Sequence, residues 1–296
     1  MTSDDREIIR RIESLARRDP GQRGFAGLAG HGGLHAAAQV LLPGKRVLIV
    51  TGFCIRAAMI GENDGLSGSL ALADALHRLG HQVVLLTDQF SAGLLAAAQT
   101  LFSKTFPLVI LNQDQRLADS QIDALINDFK PTQLVAIERP GSAVDGHRYS
   151  MRGELLDDLV PAADRLLSPP FPRNYTTIAI GDGGNELGLG GLRDALKDKV
   201  MHGELIFCAT SADHIIPSGI SNWGAYALVA AISVLSGRCL MRPPEHELAI
   251  LQSLLAAGAV DGCTKKCELS VDGIGWNDYG NTLAAMYAEI RTSATP

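Results

Sequence analysis

Aromatic residues are few in this sequence, clustered cations are fewer, and no apolar stretch is long. Phe, Trp and Tyr make up 5% of the 296 residues, and 26 Lys and Arg stand against 32 Asp and Glu for a formal charge of −6. A protein that neutralises phosphates carries a basic patch. The paired cations here are Arg10-Arg11 and Arg17-Arg18, on a helix predicted to begin near Ser3, where they read as a solvated face. Nucleic acid is therefore not an expected partner. The longest apolar run, Trp223–Leu235, falls short of the ~20 residues that span a bilayer, so it reads as a buried helix and no membrane is expected. The five cysteines are odd in number, and Met1–Arg11 is polar and charged, unlike a secretory signal. Reduced thiols in a cytoplasmic protein are the simplest reading. Cys263 and Cys267 lack the two further ligands that would close a zinc site. Neither the G-x-G-x-x-G fingerprint nor a Lys-bearing phosphate loop follows the first apolar run, so no nucleotide cofactor is expected.

What the chain does have is alternation. Short, continuously apolar runs at Arg46–Val50, Gln82–Thr87, Leu108–Leu111, Leu134–Ile137, Thr176–Ile180 and Leu205–Cys208 read as strands. Helical spacing fits Leu70–Leu79, Ala92–Phe102, Ile122–Phe129, Asn222–Leu235, Glu245–Ala257 and Asn281–Ile290. Strands apolar on both sides are covered on both faces. The expected fold is α/β: a mainly parallel, doubly wound, Rossmann-like sheet with helices on both faces. No linker interrupts it. Pro169-Pro170-Phe171-Pro172 is the one stiff stretch, and residues 1–296 are read as a single domain with 1–40 as an N-terminal helical extension.

In such sheets ligands bind outside the carboxyl ends of the strands. The first strand ends in Thr51-Gly52-Phe53, followed by Gly61-Glu62-Asn63-Asp64-Gly65. There Gly65 and Gly68 would let backbone approach a ligand, while Glu62 and Asp64 suit either a ligand or a helix start. The fourth strand ends in Glu138-Arg139-Pro140-Gly141, with Arg152 further on. Charge at the mouth of a buried strand is costly unless paired or functional. Arg139 and Arg152 are candidates to fork onto a substrate carboxylate, and a Glu138–Arg ion pair is the structural alternative. The fifth strand runs into Gly181-Asp182-Gly183-Gly184-Asn185-Glu186. A loop for phosphate would not bring two carboxylates; this one suits a metal ion or an ammonium, or acid–base work if burial separates the two pKa values. Ser221 and Asn222 open the buried helix, as caps or as ligands.

Seven stretches in order resemble the D-glutamate cyclase family, in the domain that forms the C-terminal part of the animal enzyme. They are Thr51–Phe53, Glu62–Gly65, Glu138–Gly141 with Asp145-Gly146, Tyr149–Gly153, Ile180–Gly190, Gly219–Gly224, and Gly258–Gly262 with Val271–Gly273. Asn63 and Leu66 depart from the family's Thr and Pro. The resemblance implies a lyase that closes D-glutamate on itself, with loss of water, to 5-oxo-D-proline. It implies Asp182 or Glu186 as base or cation ligand, and Glu138 as the other acid–base group. Arg139 and Arg152 would then hold carboxylates, with Asp64, Gly183, Gly184, Asn185, Ser221 and Asn222 around the substrate. It also implies a divalent ion such as Mn²⁺, with Asp182 and Glu186 as ligands, an amino-acid substrate, and a homo-oligomer as one possible assembly. Two other readings compete. A non-catalytic amino-acid or nucleotide binder would show no turnover. A metal-dependent phosphatase needs Asp-x-Asp after its first strand, where this chain has Thr51-Gly52-Phe53-Cys54.

Overall fold

The computed structural model describes residues 3–28 and 33–293. Six strands form one parallel sheet: β1 (Arg46–Thr51), β2 (Gln82–Thr87), β3 (Leu108–Ile110), β4 (Gln133–Ile137), β5 (Thr176–Gly181) and β6 (His214–Pro217). Their spatial order is β3-β2-β1-β4-β5-β6, every neighbouring pair parallel. This is the doubly wound order, which reverses direction between β1 and β4 and opens a crevice there.

The two faces of the sheet are covered differently. Val47 and Ile49 of β1 pack into one core with helices α1 (Ser3–Ala16), α2 (Gly33–Leu41), α3 (Leu66–Arg78), α4 (Gln89–Ala98), α8 (Ser221–Ser236), α9 (Pro244–Ala256) and α10 (Trp276–Ser293). Helix α8 is the axis of this layer. It is apolar around its whole circumference, as a helix buried on every side must be, and α1, α2, α3 and α10 all pack on it. Leu48 and Val50 face the second core, which is filled by α5 (Gln115–Phe129), the one-turn helices α6 (Arg193–Leu196) and α7 (Gly203–Ile206), and long irregular segments carrying Leu166, Leu187, Leu189 and Phe207.

Two expectations are corrected. Leu205–Cys208 is not the sixth strand: Gly203–Ile206 is helical, and Ile206, Phe207 and Cys208 are buried as filling for the second face. The sixth strand is His214–Pro217, whose His and Pro gave no strand signal. Nor is Arg17 solvated. It is buried and pairs with Glu13 at 3.0 Å, as part of the packing of α1, whose Ile8, Ile9 and Ile12 are also buried. No described helix is long and apolar enough to cross a membrane.

Candidate functional site

The loops after β1, β4 and β5 and the start of α8 meet at the carboxyl edge of the sheet. The Gly52 amide donates to the Glu138 carbonyl at 3.1 Å, joining the first two across the switch point. Helices α3 and α8 begin side by side and cap each other. Asp64 accepts from the backbone N–H groups of Ser221 (2.9 Å) and Asn222 (2.8 Å), and Asn222 Oδ1 accepts from Gly68 N–H at 2.9 Å in the first turn of α3. A carboxylate at a helix N-terminus satisfies orphan donors and meets the positive end of the dipole. Here the capping residue stands 157 positions away in sequence. Asp64 therefore caps α8, not the α3 that follows it.

Glu138 has φ of 44°, in the left-handed region, and its Oε2 is bonded to Ser221 Oγ. The backbone presses close behind it: a Cβ on Gly65 would lie 2.4 Å from Glu138 Cβ, so only glycine fits there. Asp64, Glu138 and Asp182 each bring one carboxylate oxygen within 4.8 Å of the others, and all three are buried. Glu62 is buried beside them, so close to the chain that a Cβ on Gly262 would fall 1.7 Å from Glu62 Oε2. Asp272, with φ of 53°, comes from the far end of the chain.

One cation lies among these acids. The Arg23 guanidinium, 15% exposed, pairs through Nη1 with Asp182 and, at 3.0 Å, with Asp272. Burial works against its charge, and Asp182 and Asp272 outweigh that and hold it firmly protonated. The carboxylates remain in excess, and their affinity for protons shows it. Burial, then the charges of Glu186, Asp64 and Glu62, drive the Glu138 carboxyl well above the usual range. Burial does the same to Asp182, opposed by Arg23 and reinforced by Asp272. Glu62 is raised by burial, Asp272 and Asp64. Asp64 is pushed up to about 8 by burial and Asp272, against the pull of its backbone donors. Asp182 Oδ2 is buried with no hydrogen-bond partner. An orphaned oxygen beside two more hard oxygen donors is what a divalent cation such as Mg²⁺ or Mn²⁺, or an ammonium, would satisfy.

All of these groups except Asp64 and Glu186 line a cavity of about 370 Å³. Its lining includes Glu62, Glu138, Asp182, Asp272, Asn185, Arg23 and Cys263, the apolar Phe53, Ile55, Met151 and Leu156, and the cations Arg56, Arg152, Lys199 and Lys265. Arg56 is already paired with Asp158. Arg152 donates to the Cys263 carbonyl at 3.1 Å, and Asn185 Nδ2 to the Tyr149 carbonyl at 2.8 Å.

Four expected site residues have other work. Arg139 has no exposed surface. It pairs with Asp88 and donates to the Pro161 carbonyl at 2.8 Å and the Gly52 carbonyl at 3.3 Å, tying three loops together beneath the cavity without lining it. It is corrected from a carboxylate anchor to a structural cation. The Glu186 carboxylate accepts from the N–H groups of Asp182 (3.1 Å), Gly183 (2.6 Å) and Gly184 (2.6 Å), so it folds the loop that presents Asp182. Gly183 and Gly184 are donors to Glu186 for the same reason. Arg23, Asp272 and Cys263 were missed. Arg23 sits in a Pro-Gly-Gln-Arg-Gly turn whose composition signals only a loop, and Asp272 in an Asp-Gly pair that reads as a turn.

Fold and site together define the class: a doubly wound α/β protein with a buried acidic cavity at its switch point. A model of the D-glutamate cyclase-like C-terminal family matches residues 12–287, and the chain belongs to that family. It is 34% identical over 240 residues to the mitochondrial D-glutamate cyclase of Homo sapiens; the match covers 77% of this chain and 39% of that protein's length.

Proposed function

We propose that the chain is a lyase of D-glutamate cyclase type, closing an acidic α-amino acid, D-glutamate, to 5-oxo-D-proline and water. The observation that carries this is the trio Asp64, Glu138 and Asp182, three buried carboxylates within 4.8 Å of one another, of which Glu138 and Asp182 line the cavity. Three such groups cannot all be ionised without a cation, and they offer proton-accepting and proton-donating oxygens a few ångströms apart.

The reaction makes a bond from the amine nitrogen to the side-chain carboxyl carbon and breaks one of that carbon's C–O bonds. The nitrogen gives up two protons, one as the ammonium before attack and one after the C–N bond forms, and the departing oxygen takes up two and leaves as water. Asp182, through its unpartnered Oδ2, is the group that receives the ammonium and its proton. Glu138, held by Ser221, is the group that protonates the departing oxygen. Asp64 fixes α3 and α8 relative to this pair and supplies the third oxygen. Asp64, Glu138 and Asp182 would also hold a divalent cation, which when bound polarises the carboxyl group and offsets the negative charge that builds on it. The apolar side chains of the lining exclude the water that would compete for protons.

The test is incubation of the purified chain with D- and with L-glutamate, with and without Mn²⁺, reading 5-oxoproline by chiral chromatography. Formation of 5-oxo-D-proline above the uncatalysed rate supports the assignment. A rate at background for both enantiomers in both conditions overturns it.

A further inference from the structure

Arg23 belongs to no helix or strand, yet its segment is rigidly built. The Asp19 carboxylate accepts from the backbone N–H groups of Arg23 (2.9 Å), Gly24 (2.7 Å) and Phe25 (3.1 Å), and the Phe25 ring is buried in the second core. Gln22 is held at φ of 52°, a conformation that costs a non-glycine residue free energy and persists only when the surroundings enforce it. The outcome is one guanidinium held in the lining of the cavity. Its two ion pairs both fall on Nη1, while Nη2 has a single weak contact, to Cys263 Sγ at 3.7 Å. A guanidinium is a fork with five donors, and half of this fork is left open on a residue that lines the cavity.

We infer that the open edge of Arg23 receives the α-carboxylate of the substrate while Asp182 receives the ammonium, so that the Arg23–Asp182 pair is the site's recognition element for an α-amino acid. The inference rests on the cyclase reading above and adds the residue that selects the substrate class. In an α-amino acid the ammonium and carboxylate share one carbon, so the groups that read them must be neighbours of opposite charge. Arg23 and Asp182 are in direct contact. The side-chain carboxyl makes the opposite demand. It must lose an oxygen as water, and a permanent guanidinium would hold it ionised. That group belongs toward Glu138. Arg139, buried and paired beneath the loops, is not open to either carboxylate.

The experiment compares two substrates, D-glutamate and its α-amide, in the wild-type chain and in Arg23→Met and Arg23→Lys. Both compounds cyclise through the same side-chain carboxyl and differ only at the proposed contact. Wild type should favour the free acid by at least about 100-fold in kcat/KM, because the amide keeps an acceptor oxygen but loses the charge, and a site built to bind a polar group rejects an analogue lacking it altogether by still more. Arg23→Met should cut that preference to within a few-fold, since the loss of Asp182's partner is shared by both substrates and drops out of the ratio, with Arg23→Lys between. The urea unfolding midpoint of each variant shows that it is folded. A variant that slows both substrates equally, or a wild type with no preference, overturns the inference while leaving the cyclase reading intact. A wild type that converts neither compound overturns both.

Discussion

Glu247, in the helical layer, and the Asp64–Glu138–Asp182 trio, at the sheet edge, are both buried carboxylates, yet their surroundings differ in kind. Glu247 accepts from three hydroxyls, Ser67 Oγ at 2.7 Å, Tyr226 Oη at 2.6 Å and Tyr279 Oη at 2.7 Å, on three helices that enclose it. Each oxygen is matched, and no other charge adjoins it. The trio instead packs like charges together: Asp64 is met by three backbone N–H groups, but an oxygen of Asp182 is unmatched and Glu138 is held in a left-handed backbone conformation. A carboxylate that serves packing ends up satisfied. One that must bind a cation or exchange protons is left wanting a partner, and the rest of the fold carries the cost.

Several substitutions sharpen this contrast. The largest effect expected is on turnover: Glu138→Gln keeps the shape and the Ser221 contact but removes the exchangeable proton, and should lower kcat about 10³-fold with little change in the unfolding midpoint. On stability the largest effect belongs to the buried ion pair of Arg139 and Asp88. Arg139→Met strands Asp88 without its partner and should cost about 3–5 kcal/mol in urea unfolding. If it left stability unchanged and raised KM alone, Arg139 would be a ligand after all.

Glu247 makes a pH-dependent prediction. Burial raises its carboxyl from about 4.5 to about 7, against the pull of its three hydroxyl donors. Between those values the folded chain holds more protons than the unfolded one, so this group's contribution to stability is full below about 4.5 and is lost as pH rises through about 7. The shift corresponds to at most about 3 kcal/mol. Unfolding of Glu247→Gln across that window should show a flatter slope than wild type, and an identical slope would mean Glu247 is ionised throughout. The smallest effect is at the rim. Arg152→Lys keeps the charge and loses only a donor to a carbonyl, so a change in KM of about 2–5-fold is expected.

The contrast also separates what the sequence reveals from what it hides. Continuous apolar runs located five of the six strands, and the polar sets that follow two of them drew attention to Glu138 and Asp182, as the start of the apolar helix did to Ser221, because burial on both faces writes itself into local composition. Charge partners have no such local signal. Glu186 and Asp182 are equivalent by type and spacing, and only the folded turn shows that one satisfies three backbone donors while the other faces the cavity. Arg139 reads as an anchor because nothing nearby in sequence announces Asp88, 51 positions away. Arg23 and Asp272 come from turns at opposite ends of the chain, joined only by tertiary packing.

The most direct test of that contrast is a paired measurement on one variant, Asp182→Asn: unfolding free energy by urea titration at pH 7 without added metal, and turnover of D-glutamate on the same preparation. Removing one charge from a crowded set relieves repulsion, while the amide still reaches Arg23 through its oxygen. The expected result is stability equal to or above wild type, with turnover lost by about 10³-fold. Loss of about 2 kcal/mol or more, with turnover retained in the folded fraction, would make Asp182 a structural carboxylate like Glu247 and contradict the assignment of the cavity.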